Sequence, residues 1–140
     1  MAKFKAKPFK RYLDEIVRRL VPFRDGCCQR CGGGIDETHH IWQRQYNHVR
    51  WYLPNLVSLC KSPCHQWYHN EIGGECWFKE TFPDRWQMLL DKPRHQGTWK
   101  ELDFREAEDY LAREAIKLGY DGYNMKAYKS RFKAKLKEMT

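Results

Sequence analysis

The stretch Cys28-Gln-Arg-Cys31 … His39-His40 … Asn55 … Cys60-Lys-Ser-Pro-Cys64-His65-Gln-Trp-Tyr-His69 decides how this chain is read. Two cysteine pairs bracket it, Cys28-x2-Cys31 and Cys60-x3-Cys64. Thiolates two or three residues apart can both reach one tetrahedral zinc without straining the backbone between them, so the spacing predicts a four-thiolate site. Gly32, directly after Cys31, allows the chain to fold back tightly beneath the metal. Four sulfurs close the coordination shell and leave no position for water or substrate. Such a zinc is structural, and any chemistry falls to other residues.

Four histidines and an asparagine supply those residues. His39 and His40 are adjacent in a run that reads as a strand, so their side chains point to opposite faces or into differently shaped pockets, and one can bind metal while the other stays free. His65 and His69 are spaced i, i+4, which on a helix sets both imidazoles on one face, able to grip one ion. Ser62-Pro63 predicts the start of that helix, as N-cap and first-turn proline, and Gly73-Gly74 its end.

With the His39-His40 pair, Asn55 fifteen positions after His40, the run from Asn55 to Cys60, and Cys64-His65-x3-His69, residues 28 to about 70 resemble the HNH, or ββα-metal, nucleases. The resemblance implies an α+β fold: a small ββα-metal (His-Me finger) core with a structural zinc knuckle, surrounded by helices. It also implies His40 as general base, His39, His65 and His69 as ligands of one divalent ion, and Asn55 as the brace of the hairpin loop that aims the base. Two departures stand out. The residue before the base is often Asp in the family and is His39 here, and the second cysteine pair is often C-x2-C. Three histidine ligands bring the chain closer to the colicin-type branch and leave Mg2+, Mn2+, Ni2+ or Zn2+ open as the working metal, since imidazole suits the transition metals and magnesium prefers oxygen. The segment Trp77-Phe78 … Phe82-Pro83 … Trp86 … Leu89 is more faintly similar to phage recombination-type HNH proteins, which implies a phage-encoded chain working in the host cytoplasm.

The implied chemistry is hydrolysis of DNA phosphodiester bonds to 5′-phosphate and 3′-hydroxyl ends. A neutral imidazole, with an ordinary pKa of about 6.5, can take a proton from water near neutral pH. A divalent ion neutralises charge on the phosphate and the departing oxygen. Arg44 and Arg50, in the hairpin loop region, are candidates for phosphate contact, and His48 reads as a surface histidine.

Composition agrees with such a partner. Lys and Arg number 26 against 18 Asp and Glu, a net +8 with a pI near 9.2, which favours a polyanion. No secretory pattern opens the chain and no apolar run approaches the ~18 residues that span a membrane, so a cytoplasmic location without membrane contact is expected. Of the two remaining cysteines, Cys27 can compete for the zinc in a Cys27-x3-Cys31 register, although Cys28 suits a tight knuckle better, and Cys76 beside Trp77 and Phe78 reads as a small buried hydrophobe.

The expected organisation is a single HNH endonuclease domain over 1–140: a loosely ordered basic arm at 1–11, the ββα-metal core at 28–70 and a helical extension at 75–137. A short helix should lead up to Pro22. Strands are expected at Ile35–Gln43 and Leu56–Leu59, and helices over Glu75–Phe82 and Pro83–Asp91, whose aromatic side chains, with Leu89 and Leu90, pack under the metal helix. Lys92 to Lys100 reads as a loop. Leu102–Leu118 reads as a long helix, with Asp103 and Glu106 as a capping box and Gly119 as its stop. Asn124 can cap a last helix whose outer face carries Lys126, Lys129, Arg131, Lys133, Lys135 and Lys137, and that face is solvated, docked on nucleic acid or used in a homodimer.

A second reading belongs to a different class: a non-catalytic, zinc-stapled module that binds nucleic acid or a protein. It accounts for the cysteines and the charge but gives no reason for His39, His40, His65, His69 and Asn55 together. A third keeps the chemistry and changes the substrate to RNA or branched recombination intermediates. The absence of an aromatic RNA-binding sheet motif favours DNA, and the partner expected is double-stranded DNA.

Overall fold

The structure, a computed structural model, describes residues 3–70, 73–94 and 97–140. Met1 and Ala2 of the expected arm, and His95 and Gln96 of the expected loop, lie outside these residues. The chain is α-rich with a small antiparallel sheet, an α+β composition, and it divides into two compact units. One is Asp25–His95; the other joins Met1–Arg24 to Gln96–Thr140.

In the unit Asp25–His95 the sheet is made of β1 (Glu37–His40) and β2 (Leu56–Leu59), antiparallel, with Glu37 opposite Leu59, Thr38 opposite Ser58, His39 opposite Val57 and His40 opposite Leu56. β2 is buried along its whole length. Its bounds are those expected, whereas β1 is shorter than Ile35–Gln43. The reason is local. The side chain of Asn55 takes the backbone N–H and C=O of Trp42, so the ladder cannot continue past Ile41. A helical turn, α2 (Asn47–Arg50), and a tighter turn at Leu53–Asn55 then return the chain to β2.

A wide turn at Lys61–His65 leads into α3 (Gln66–Asn70). Ser62 is extended there (φ −139°, ψ 128°) and makes no capping bond to the backbone, so it is not the expected N-cap; a residue before proline is pushed out of the helical region by the ring. Gly73-Gly74 does not end a helix either but opens α4 (Gly73–Thr81), which is followed by α5 (Pro83–Asp91). A Cβ at Gly74 would stand 2.7 Å from the carbonyl oxygen of Tyr68, so glycine permits the close approach of α4 to α3.

Cys28, Val57, Leu59, Cys60 and Cys64 form one buried cluster, with Ile41, Tyr68, Trp77 and Phe82 packed on it. Val49, Phe78 and Leu89 form a second under Trp42, Tyr52 and Trp86. The aromatic segment thus builds core as expected, except that Leu90 is exposed. Cys76 is exposed as well: Gly74 and Phe78, four apart, carry the buried face of α4, and Cys76 lies midway between them on the other side.

The second unit rests on α1 (Ala6–Asp25), α6 (Glu101–Leu118) and α7 (Lys129–Met139). α1 corrects two expectations, since it begins within the supposed loose arm and runs through Pro22. Its buried face carries Tyr12, Leu13, Ile16, Val17 and Leu20. Phe9 meets Phe104 of α6, and Tyr12 meets Phe132 of α7. The capping of α6 also differs from the reading. Asp103 accepts the N–H of Lys100 (2.7 Å) and sits three residues inside a helix that starts at Glu101, while Gly119, left-handed at φ 77°, stops it as expected. Asn124 does not cap α7 but accepts a hydrogen bond from the Tyr120 hydroxyl. The buried Glu15 carboxylate takes the N–H groups of Lys126 and Ala127, which delays the helix to Lys129.

Candidate metal centres

The sulfurs of Cys28, Cys31, Cys60 and Cys64 lie within 4.8 Å of one another, in a group that can hold a metal ion. Cys28, not Cys27, belongs to it. Two features of the first knuckle bring this about. Gly32 adopts φ 79° and donates its N–H to the Cys28 carbonyl (2.9 Å), closing the turn, and the N–H of Gln29 binds the Ser58 carbonyl (3.0 Å), tying the knuckle to β2. Asp25, its carboxylate buried, receives the N–H of Ser58 at 2.9 Å and anchors the same strand.

Four thiolates around a divalent ion leave two negative charges, and the surroundings answer them. Gly33 donates its N–H to Cys31 Sγ (3.4 Å), and the Arg30 guanidinium donates to Cys64 Sγ (3.5 Å) while stacking on the Trp67 ring at 3.8 Å. Burial works to raise the Cys28 thiol, but backbone N–H donors from Cys31, Cys60 and Arg30 outweigh it and hold it down at about 6. Burial and the three neighbouring sulfurs push the Cys64 thiol up to about 12 against the pull of Arg30. A cation among the sulfurs reverses that second effect, because it favours thiolate at every position.

The second group is His39, His65 and His69, whose ligand nitrogens also fall within 4.8 Å of one another. His39 comes from β1 and reaches the two α3-side histidines, its ring centroid 5.1 Å from that of His65 and 5.0 Å from that of His69. The Nε2 atoms of His65 and His69 are 3.0 Å apart. Tyr68 packs on His39 with ring centroids 4.1 Å apart and fixes its orientation. His39 is 4% exposed and its Nε2 is buried without a hydrogen-bond partner. A buried ring nitrogen left unpaired is costly, and a metal ion is a partner that fits three converging imidazoles. Burial, then the neighbouring His65, His69 and His40, depress the His39 pKa from 6.5 to about 3. Burial and His69 also lower His65, with Glu37 opposing them. Both rings are therefore neutral near pH 7, the form that donates a lone pair to metal.

His40 points to the other face of β1 and places its Nε2 3.0 Å from the carbonyl oxygen of Arg50. A carbonyl only accepts, so Nε2 carries the proton and Nδ1 the ring's lone pair. Asn55 is fully buried. Its Oδ1 accepts from the Trp42 N–H (2.7 Å), and its Nδ2 donates to the carbonyls of Trp42 (3.0 Å) and Val49 (3.1 Å). One side chain thus clasps both ends of the loop between β1 and α2. Arg44 is exposed on that loop; Arg50 is half-buried, its guanidinium 5.1 Å from the Trp51 ring. His48 is half-buried beside Tyr46 rather than on the surface.

Three contributors were not singled out from the sequence: Arg30, Tyr68 and Asp25. Arg30 had a signal in its place inside the Cys28-x2-Cys31 pair. Tyr68 lies between the two spaced histidines, and only the packing of α3 on β1 reveals that it faces His39. Among the described residues no helix is long and apolar enough to cross a membrane. No protein-family model, curated protein or solved structure matches the chain.

Proposed function

We propose that this chain is a metal-dependent endonuclease of the HNH type, with a ββα-metal core at residues 28–70, that hydrolyses phosphodiester bonds of double-stranded DNA. The observation that carries the reading is the pairing of two things across β1. On one face three imidazoles converge, with His39 Nε2 buried and unpartnered; on the other His40 is held by the Arg50 carbonyl beside a loop clasped by Asn55. A module that only binds has no use for this second arrangement.

His39, His65 and His69 would hold the divalent ion, and Cys28, Cys31, Cys60 and Cys64 a structural zinc. When bound, the divalent ion supplies charge neutralisation at the phosphate and the departing 3′ oxygen. His40 accepts a proton from water at Nδ1 while the Arg50 carbonyl steadies its Nε2–H. Asn55 acts through His40: it fixes the backbone between Trp42 and Val49 and is a positioning residue. Arg44 and Arg50 contact the phosphate backbone. The products are a 5′-phosphate and a 3′-hydroxyl.

The test is nicking of supercoiled plasmid with Mg2+, Mn2+, Ni2+ or Zn2+ added in turn, with DNA binding followed on the same samples. The native chain cuts with at least one of these, whereas His40→Ala binds and does not cut. If native chain and variant bind equally and neither cuts plasmid, RNA or branched DNA with any metal, the reading gives way to a zinc-stapled binding module.

A further inference from the structure

The charge of the chain is unevenly divided. Residues 1–24 and 96–140 carry 18 Lys and Arg against 10 Asp and Glu, while residues 25–95 carry 8 of each. The whole +8 belongs to the unit that has neither candidate metal centre.

Within that unit the cations of α7, with Lys126 just before it, fall into two sets. Arg131 makes two hydrogen bonds, 3.1 and 3.2 Å, to the buried carboxylate of Glu108 and lies over the rings of Phe9 and Tyr12. Lys135 is paired with Asp109. These two are neutralised inside the unit. Lys126, Lys129, Lys133 and Lys137 are exposed, and their side chains have no acidic partner among the described residues. Lys129, Lys133 and Lys137 recur every fourth residue, which sets them on one face at a rise of about 6 Å per step.

What surrounds the stripe narrows its partner. The apolar residues of α7, Phe132 and Leu136, are buried, so no apolar face is left to enter a lipid interface. Ser130 and Ala134 beside the lysines are small, and the two aromatic rings of this stretch, half-buried Tyr128 and buried Phe132, both pack on Tyr12, so neither stands out to anchor a protein partner. Ammonium groups on long stems, three of them evenly spaced along the helix and none paired with an acid among the described residues, suit a row of phosphates.

We propose that Lys126, Lys129, Lys133 and Lys137 form a docking surface for the phosphate backbone of double-stranded nucleic acid, contacted without reading sequence. This deepens the reading above and rests on its nucleic-acid partner, but not on hydrolysis. The basic unit then adds four phosphate contacts to those of Arg44 and Arg50, which lie in the unit that carries the metal centres.

The experiment measures binding of the full chain to a fluorescent DNA duplex by anisotropy between 50 and 200 mM salt, without catalytic metal. Removing four phosphate contacts by Lys126→Gln, Lys129→Gln, Lys133→Gln and Lys137→Gln together should flatten the slope of log K against log salt by about 3.6 and weaken binding at low salt at least ~10-fold. The paired variants Lys126→Gln/Lys129→Gln and Lys133→Gln/Lys137→Gln should each give about half the change in slope, which guards against misfolding of the quadruple variant. Arg131→Gln/Lys135→Gln should lower the melting temperature and leave the slope alone. An unchanged slope in the quadruple variant, or an equal loss in the Arg131/Lys135 variant, overturns the stripe while the endonuclease reading stands. A native chain that binds phosphatidylserine vesicles and no duplex overturns both the stripe and the nucleic-acid partner.

Discussion

Asn55 makes three hydrogen bonds in a fully buried position, and the two Trp42 groups it serves lie beyond the end of the β1–β2 ladder. Removing the amide leaves the N–H and C=O of Trp42 unpaired, at about 1–3 kcal/mol each before water enters, while the Val49 carbonyl keeps the Tyr52 N–H. Asn55→Ala should therefore lower the melting temperature by several degrees and cut nicking at least ~10-fold with DNA binding retained. Asn55→Asp keeps the acceptor and loses both donors, so it should fare little better. A variant as active as the native chain would remove the loop clasp from the mechanism. His39 yields a pH prediction of opposite sign to that of a histidine in an ion pair. Its folded-state pKa is about 3 against 6.5 ordinarily, so in the metal-free site its contribution is complete above pH 6.5. It is lost as pH falls towards 3, because the unfolded chain takes the proton first. Between pH 6.5 and 5 the loss is about 2 kcal/mol. The measurement is the melting temperature at pH 7.5 and 5.0 after mild chelation that keeps the cysteine zinc, with His39→Gln as the comparison. The variant should show the flatter dependence; parallel curves would mean that His39 does not titrate as its burial demands.

At the scale of elements, the approach of α4 to α3 depends on Gly74. A methyl group there meets the Tyr68 carbonyl at 2.7 Å and its ring at 3.0–3.1 Å, and α3 must give way. Because Tyr68 packs on His39 and its neighbour His69 is one of the three imidazoles, Gly74→Ala should weaken Ni2+ or Zn2+ binding at the histidine site as well as cost about 1–3 kcal/mol. Titration calorimetry beside a thermal melt separates the two effects. Stability lost with metal affinity intact would show that α3 absorbs the shift away from its histidines. This contact was not legible in the sequence, where the same glycines read as a stop. Metal-site spacings were legible because they are short-range: the two cysteine pairs, the i, i+4 histidines and the bounds of β2 all follow from local geometry. What escaped depends on distant partners. Glu15 reaches 111 residues along the chain to Lys126 and sets back the start of α7. The Lys-rich start of α1 reads as a loose arm by charge, yet Phe9 on Phe104 draws it into a helix. Pro22 lies within the last turn of that helix, where Phe23 packs on Tyr120.

For the molecule as a whole, the two units differ in what holds them. Residues 25–95 have four-residue strands, several helices of nine residues or fewer and two modest apolar clusters, one of them containing three of the four clustered cysteines. A core of that size rarely sustains a fold without a staple, and metal binding to such a motif is coupled to folding. The other unit has helices of 20, 18 and 11 residues and an aromatic core in which Phe9, Tyr12, Phe104, Tyr120 and Phe132 meet one another. No candidate ligand group lies in it among the described residues. Stripping zinc with a strong chelator under reducing conditions should thus unfold the chain in part. In hydrogen exchange, the amides of Val57, Leu59 and Phe78 should lose their protection, and those of Leu111, Ala112 and Phe132 should keep most of theirs. Cysteine-to-serine exchange at Cys64 should reproduce the pattern with zinc present, since Cys64 is fully buried and no other thiol replaces it in the group. Protection unchanged everywhere would show that the four sulfurs are not a structural site. Loss of protection in both units together would show that α1, which runs from Ala6 to Asp25 across the boundary between them, transmits unfolding from one to the other.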